Sequence, residues 1–199
     1  MLLETIAIHQ QKVLNIDYHQ DRMNQSFFSV YKLACPFDLV KIFENFSFLE
    51  NQGWIRCRFI YNAERFEIQQ FPYQLKQFSK IKVLEIPSQF NYKHKWNDRQ
   101  FFAKLLEDNS AFEEVLMLQN DFVTDVTIGN VALWDGDKWY CPNTPLLEGT
   151  QRKKLLKQNL LTEISIKKND LTRFEKVIIL NAFRTLDSKN ALPISVLNL

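Results

Sequence analysis

The fold is decided by residues Thr124–Arg152, which read TDVTIGNVALWDGDKWYCPNTPLLEGTQR. Three of the chain's four glycines, Gly129, Gly136 and Gly149, lie in this stretch. A chain that uses so little glycine places it where the backbone conformation or a close approach requires it. The stretch predicts a strand that ends at an acidic residue, a hairpin that turns at Asp135-Gly136, and a loop that leads into a helix. Such an arrangement can hold a ligand with a basic ring nitrogen at one end and a phosphate at the other.

Length, composition and charge are those of an ordinary globular protein. The chain has 199 residues, of which 46% are hydrophobic and 24% charged, and its formal net charge is +2. This length can bury a core in one large domain or in two small ones. Because the charge is small and scattered, we expect neither nucleic acid nor an anionic membrane as a partner.

Cysteine usage and hydropathy predict the compartment. The three cysteines, Cys35, Cys57 and Cys141, are far apart and lack metal-ligand spacing, which indicates reduced thiols and no metal site. The first residues, MLLETIAIHQQKV, lack the basic start and apolar core of a signal peptide. No apolar run approaches the length of a membrane span. We therefore expect a cytoplasmic protein.

The order of the elements predicts an α+β fold with two small domains, residues 1–87 and 88–199, which meet at Pro87-Ser88. In the first domain the patterns predict strands at Leu2–Ile8, Val13–Ile16, Trp54–Tyr61, Phe66–Gln70 and Lys82–Ile86, and helices at Tyr18–Lys32 and Asp38–Phe48. In the second they predict helices at Asp98–Leu106 and Thr150–Leu161, a short helix capped by Asn169 or Asp170, and strands at Val115–Leu118, Phe122–Asp125, Val131–Trp134, Lys138–Cys141, Glu163–Ile166 and Val177–Phe183.

Two features suggest an anion site. The sequence Gly149-Thr150-Gln151-Arg152 opens a helix, where free backbone N–H groups and the helix dipole favour an anion. A plain helix cap is the alternative. On an earlier helix, His19 and Arg22 lie one turn apart, and the guanidinium suits an oxyanion. The alternative for Arg22 is a local pairing on a surface helix.

An acid and a lysine complete the candidates. An ionised Asp125 at its strand end could pair with a protonated ring nitrogen, or could simply be satisfied by backbone amides. A partly desolvated lysine is a good nucleophile towards carbonyl groups, and composition leaves Lys93 and Lys95 equally eligible.

These features occur in an order that resembles the class IV aminotransferases, the fold-type-IV pyridoxal 5′-phosphate enzymes, and most of all their 4-amino-4-deoxychorismate lyase branch. The resemblance covers nearly the whole chain. The matching motifs are Leu3-Glu4-Thr5-Ile6, His19-Gln20-Asp21-Arg22, Lys95 to Arg99, Val123-Thr124-Asp125 with Asn130, Thr144-Pro145, Gly149 to Arg152 and Asn181-Ala182. The spacing of the Lys-x-x-x-Arg motif selects Lys95 over Lys93.

The resemblance implies a role for each residue. Lys95 would form the Schiff base with the cofactor and transfer protons, and Asp125 would pair with the ring nitrogen. The other cofactor-binding residues would be Arg22, Asn130, Gly149, Thr150, Gln151, Asn181 and Ala182. Arg58, in WIRCRFIY, would be the candidate for a substrate carboxylate, although Arg56 alternates onto the same face. The fold would be a compact, two-lobed version of the D-amino acid aminotransferase type, without the family's N-terminal hairpin. Asp125 stands where many relatives have Glu.

The implied function is a lyase that converts 4-amino-4-deoxychorismate to 4-aminobenzoate and pyruvate for folate biosynthesis, as a homodimer. The alternative reaction is transamination of a branched-chain or D-amino acid, which shares the steps up to proton abstraction. Asn181-Ala182 favours the lyase. The third possibility is a degenerate cofactor-binding protein without turnover, or a plain ligand-binding module, although a binding module would not need Lys95.

Overall fold

The computed structural model describes residues 1–50 and 53–199. They form two compact units, the first made of residues 1–75 and 94–98, and the second of residues 76–93 and 99–199. Residues 94–98, which include Lys95, thus belong to the first unit although the chain on either side belongs to the second. Within the described ranges, no helix has the length and apolar character needed to cross a membrane.

The first unit is an antiparallel sheet with two helices. In chain order it contains β1 (Leu2–His9), β2 (Lys12–Val13), α1 (Ile16–Tyr31), α2 (Leu39–Glu44), β3 (Trp54–Tyr61) and β4 (Phe66–Tyr73). The strands lie in the order β2-β1-β3-β4. The Asp38 side chain caps the start of α2, because it accepts a hydrogen bond from the backbone N–H of Lys41. Residues 95–97 lie antiparallel to the start of β1, with the Leu3 N–H donating to the Lys95 carbonyl at 2.9 Å.

The core of the first unit lies on one face of the sheet. Side chains alternate between the faces of a strand, so Leu2, Ile6 and Ile8 point the same way and pack with Met23 and Phe27 of α1. Alternation places Glu4 on this apolar face and Arg56 and Arg58 on the opposite one.

The second unit is built on a large mixed sheet. In chain order its elements are β5 (Ile81–Glu85), α3 (Gln100–Asp108), β6 (Glu114–Gln119), β7 (Phe122–Val126), β8 (Gly129–Trp134), β9 (Trp139–Pro142), α4 (Thr150–Lys157), β10 (Thr162–Ile164), β11 (Lys176–Leu180), β12 (Leu192–Pro193) and β13 (Leu197–Asn198), with 3-10 turns at Lys168–Arg173, Ser188–Asn190 and Ile194–Val196. The main path runs β10-β9-β8-β7-β6-β5-β13, and β11 pairs with β8 and β12. The strands β5, β6, β7, β8 and β11 supply most of its core.

One strand was predicted in the wrong sheet. The segment predicted as Lys82–Ile86 forms β5, but it pairs in parallel with β6 and β13 in the second unit. A short apolar pattern identifies a strand without identifying its neighbours, which here come from much later in the chain. The domain boundary at Pro87-Ser88 stays a prediction.

Several element ends also differ from prediction: α2 ends at Glu44 rather than Phe48, β2 spans Lys12–Val13 rather than Val13–Ile16, and β10 spans Thr162–Ile164 rather than Glu163–Ile166. The helix that starts at Thr150 ends at Lys157 rather than Leu161, because Asn159 adopts a left-handed conformation with φ 55°. The N–H groups of Asn159 and Leu160 donate to the carbonyls of Leu156 and Leu155, which is a Schellman ending with Asn in the glycine position.

The cap predicted at Asn169 or Asp170 was wrong. The 3-10 turn begins after Lys167, and the Asp170 carboxylate accepts a hydrogen bond from the Lys167 backbone N–H at 2.9 Å. The strand predicted to reach Phe183 ends at Leu180, and a tight turn from Asn181 to Arg184 follows.

Candidate active site

A buried carboxylate in the first unit brings together two residues of α1. Glu4 is 1% exposed and accepts hydrogen bonds from the Arg22 Nε at 3.0 Å and the Arg22 Nη2 at 2.5 Å. The His19 Nδ1 lies 2.7 Å from the second Glu4 oxygen. Burial by itself raises the pKa of Glu4, but the Arg22 charge and the hydrogen bonds from His19 and Arg22 outweigh it and lower the pKa to about 2. Glu4 is therefore an ionised carboxylate that fixes Arg22.

The same carboxylate sets the tautomer of His19. An ionised carboxylate only accepts hydrogen bonds, so the ring donates from Nδ1 and keeps Nε2 as an acceptor. In the described part of the chain, this buried Nε2 has no hydrogen-bond partner. Burial lowers the pKa of His19 despite the Glu4 carboxylate, and the positive charges of Arg22 and Lys95 lower it further. His19 is thus neutral, and Lys95 is within electrostatic range of it.

The two candidate lysines lie in different surroundings. Lys95 is half-buried in the first unit, with the Glu4 cluster nearby, whereas Lys93 is exposed and belongs to the second unit. A nucleophilic lysine gains reactivity from partial desolvation beside another cationic group. The surroundings therefore favour Lys95.

Arg58, on the opposite face of the first sheet, is held by neutral side chains. Its Nη1 donates to the Gln69 Oε1 at 2.8 Å, and its Nη2 donates to the Asn97 Oδ1 at 2.6 Å. These contacts orient the guanidinium and leave its charge unneutralised.

In the second unit, Asp125 is a buried acid at the end of β7. Its two oxygens accept hydrogen bonds from the Asn130 Nδ2 at 2.6 Å and the Leu147 N–H at 3.0 Å. Burial dominates these hydrogen bonds and the Arg152 charge, and it raises the pKa of Asp125 to about 7. A cation that reached this carboxylate would lower its pKa again and would itself be stabilised.

Asn130 connects this acid to the start of α4. Its amide nitrogen also donates to the Leu147 carbonyl at 2.9 Å, so it spans the strand end and the loop. A Cβ on Gly149 would come within 2.0 Å of the Asn130 Oδ1. Glycine is therefore required at position 149 by the close approach of Asn130.

The side chains of the first residues of α4 are buried in the second unit. Thr150, Gln151 and Arg152 are all buried, and the Gln151 Nε2 donates to the Thr185 Oγ1 at 2.9 Å. Arg152 is paired with Glu163 and donates to the Pro142 carbonyl at 3.0 Å. Arg152 therefore has a structural role, whereas Thr150 and Gln151 bring two buried polar side chains to the start of a helix.

Asn181 and Ala182 lie in the turn after β11 rather than on a strand. The Asn181 Nδ2 donates to the Ile128 carbonyl at 3.3 Å, and its Oδ1 accepts from the Phe183 N–H at 3.0 Å. The start of β8 lies so close to the end of β11 that a Cβ on Gly129 would be 2.3 Å from the Leu180 carbonyl oxygen. The turn is thereby fixed against the start of β8.

Glu4 and Asn97 are the residues whose roles the sequence analysis missed. Both lie inside the quoted motifs, yet neither was assigned a function. The signal for Glu4 was available, because a single acid at a core position of an alternating apolar strand, LLETIAI, needs a buried partner.

Solved structures share this fold. A crystal structure from Haemophilus somnus, named a "putative 4-amino-4-deoxychorismate lyase", is 37% identical over 93% of this chain and 97% of its own, with a TM-score of 0.85. A pyridoxal phosphate-bound hypothetical aminotransferase from Mycobacterium tuberculosis covers 99% of this chain and 81% of its own, with a TM-score of 0.78 at 13% identity. A Haemophilus influenzae protein without an assigned function is 39% identical over 191 residues, 93% of this chain and 98% of its own length. The fold is that of the fold-type-IV pyridoxal phosphate enzymes.

The family follows from the sequence match. Residues 1–187 match the family described as amino-transferase class IV, and the chain belongs to that family. The protein is therefore an enzyme of the pyridoxal phosphate-dependent class that includes aminotransferases and aminodeoxychorismate lyases. This confirms the predicted family and fold class.

The residues present fit the cofactor that the family implies. Asp125 is a buried carboxylate whose pKa burial raises to about 7, and a protonated ring nitrogen is the kind of cation that would restore its ionised form. Arg22 and Lys95 provide a guanidinium and an amine close to one neutral histidine. These groups suit a phosphate and an aldehyde, respectively.

Proposed function

We propose that the enzyme is a pyridoxal phosphate-dependent lyase that splits 4-amino-4-deoxychorismate into 4-aminobenzoate and pyruvate. The observation that carries the proposal is the likeness, over almost the full length of both chains, to the Haemophilus somnus "putative 4-amino-4-deoxychorismate lyase". A Schizosaccharomyces pombe "putative aminodeoxychorismate lyase" is 32% identical over 101 residues, 46% of this chain and 44% of its own, which adds support.

The proposal gives each candidate site residue a defined role. Asp125 accepts a hydrogen bond from the protonated ring nitrogen, and Asn130 holds that carboxylate in place. Arg22, oriented by Glu4, binds the phosphate together with Thr150 and Gln151. Gly149 has no side chain and Asn181-Ala182 lie in a tight turn, so the backbone at both places can approach the phosphate closely.

Lys95 carries the proton transfer. When bound, pyridoxal phosphate supplies an electron sink for the charge that develops at the substrate Cα. The Lys95 amine takes the Cα proton, and Arg58 holds a substrate carboxylate. The ring–oxygen bond then breaks, the ring becomes aromatic, and the departing enolpyruvate takes up a proton to become pyruvate. The atoms of the substrate are all accounted for in 4-aminobenzoate and pyruvate.

The test is a pair of product assays on the purified protein supplemented with pyridoxal phosphate. We expect 4-aminobenzoate and pyruvate in equal amounts from 4-amino-4-deoxychorismate, and no product from Lys95→Ala. Lys93→Ala, which changes an exposed lysine of the second unit, is the matched control and should retain full activity. Wild-type protein that binds pyridoxal phosphate but releases no 4-aminobenzoate would refute the lyase.

Transamination is the second candidate, supported by the family to which the chain belongs. It uses the same residues up to removal of the Cα proton. Incubation with D- or L-amino acids and 2-oxoglutarate distinguishes the two activities. Rapid amino transfer without 4-aminobenzoate would assign the enzyme to the aminotransferases.

We further propose that the enzyme works in the cytoplasm, in folate biosynthesis, as a homodimer. Light scattering, which measures the mass in solution, tests whether the enzyme is a homodimer. A monomer with full activity would contradict it.

A further inference from the structure

Two partly buried arginines on one face of the first sheet, Arg56 and Arg58, differ from Arg22 and Arg152, which are held by acidic side chains. Arg22 pairs with Glu4, and Arg152 pairs with Glu163. In the ranges that the structure describes, neither Arg56 nor Arg58 forms an ion pair. A partly buried charge without a counter-ion is costly unless an anion is bound. Arg99 of the second unit is also partly buried and forms no ion pair in the described chain, so the β3 arginines are distinguished by lying next to each other on one strand face and not by the missing counter-ion alone.

Their placement on β3 is defined by the pairing of the strands. Residues two apart on a strand share a face and lie roughly 6.5 Å apart along it. Opposite Arg58 are Thr5 of β1 and Gln69 of β4, and opposite Arg56 are Ala7 and Phe71. The two guanidinium groups therefore occupy neighbouring positions along one row.

The side chains that contact these two arginines directly are neutral. Arg58 is oriented by Gln69 and Asn97, as described above. Arg56 has its guanidinium carbon 5.2 Å from the centre of the Phe71 ring, and its Nε is buried without a hydrogen-bond partner in the described chain. The acid on this part of β4, Glu67, accepts a hydrogen bond from Gln69 at 2.7 Å. Both arginines are held in position by groups that leave their positive charges uncompensated.

We infer that Arg56 and Arg58 form a two-point carboxylate site that selects a dicarboxylate substrate over monocarboxylates. The inference rests on the proposed function for the identity of the substrate, which has one carboxylate on its ring and another on the enolpyruvyl group. Each guanidinium can bind one carboxylate in a bidentate manner. Branched-chain amino acids have a single carboxylate, so they would leave one of the two partly buried charges unpaired. The arginine row thereby disfavours them.

The test compares two simple probes, isophthalate with two carboxylates and benzoate with one. Calorimetric titration, in the presence of pyridoxal phosphate, should give wild-type protein on the order of tenfold tighter binding of isophthalate, as expected for one added charge-assisted contact. Arg56→Gln should reduce this ratio to about one, whereas Arg58→Gln should weaken both probes. Arg65→Gln, an exposed arginine in the same hairpin, is the control and should keep the wild-type ratio.

Separate measurements control for the folding of each variant and for the proposed function. Each variant is checked by its thermal midpoint, and Arg56→Lys, which keeps the charge without the planar fork, should keep part of the preference. A wild-type ratio of about one, an unchanged ratio in Arg56→Gln, or an equal loss in Arg65→Gln would each overturn the inference. The 4-aminobenzoate assay tests the proposed function independently. A preference for isophthalate that depends on Arg56, without 4-aminobenzoate formation, would support the dicarboxylate site and refute the lyase.

Discussion

Glu4 illustrates how one residue can control a site without contacting the ligand. It is a buried acid that no substrate needs to touch, yet it fixes the Arg22 guanidinium through two hydrogen bonds and sets the tautomer of His19. A free arginine side chain would lose considerable conformational entropy on binding a phosphate. Pairing with Glu4 removes most of that freedom before any ligand arrives.

Glu4→Gln should therefore be strongly destabilising. Glutamine preserves the shape but removes the charge that pairs with Arg22, and breaking a buried ion pair costs about 3–5 kcal/mol of the free energy of unfolding. Urea titration measures this loss. Asp108→Asn, which breaks the exposed pair with Lys104, is the control and should change stability by less than about 1 kcal/mol. A loss below about 1 kcal/mol in Glu4→Gln would contradict the role assigned to this carboxylate.

At the scale of elements, the start of α4 depends on a close contact between a helix and a strand. Gly149 precedes α4 and Asn130 lies on β8, and the side chain of Asn130 occupies the space that a Cβ at position 149 would need. Asn130 also donates to Asp125 at the end of β7. The helix start, the strand end and the buried acid are therefore coupled through one amide.

Gly149→Ala should disturb the start of α4, the end of β7 and the buried Asp125 carboxylate. The added methyl group must displace the Asn130 side chain, and losing its buried hydrogen bond to Asp125 costs about 1–3 kcal/mol. Thermal unfolding gives the size of the effect. Lys157→Ala, on the exposed part of the same helix, should stay within about 0.5 kcal/mol of wild type. If both variants unfold alike, the packing of Asn130 against Gly149 is not a constraint.

At the scale of the whole molecule, the two units should respond to pH in opposite directions. In the first unit, His19 has a lowered pKa, so stability falls as pH drops below 6.5, and the Glu4 contribution is lost as pH falls from 4.5 towards 2. In the second unit, the pKa of Asp125 is raised to about 7, so its stabilising contribution is complete below 3.8 and is lost as pH rises through 7.

Hydrogen exchange of the cofactor-free protein can separate the two responses. Between pH 7 and pH 5, after correction for intrinsic exchange rates, amides of β1 and α1 should become less protected and those of β7 and β8 more protected. Asp125→Asn should abolish the second trend and leave the first unchanged. Parallel changes in both units of the wild-type protein would contradict the opposite pKa shifts.

Local chemistry in the sequence predicted many elements correctly. The Asp135-Gly136 hairpin forms as predicted, with Gly136 at φ 103°. The turn at Asn120-Asp121, between β6 and β7, is also a local feature, with both residues at positive φ. These features depend on neighbours in the chain, so their signals are contained in short segments. The pairing of β5 with β13 joins residues more than a hundred positions apart, and no short pattern encodes it.

The sequence by itself determined the family, because the order and spacing of several motifs need no coordinates to be recognised, and it selected Lys95 over Lys93 by spacing. It also identified Asp125 and Gly149 as unusual positions. Only the tertiary structure decided that Arg22 is paired with Glu4, that burial raises the pKa of Asp125 to about 7, and that Gly149 is required by Asn130. The reason is physical: desolvation and close contact depend on groups that are distant in the chain and adjacent only after folding.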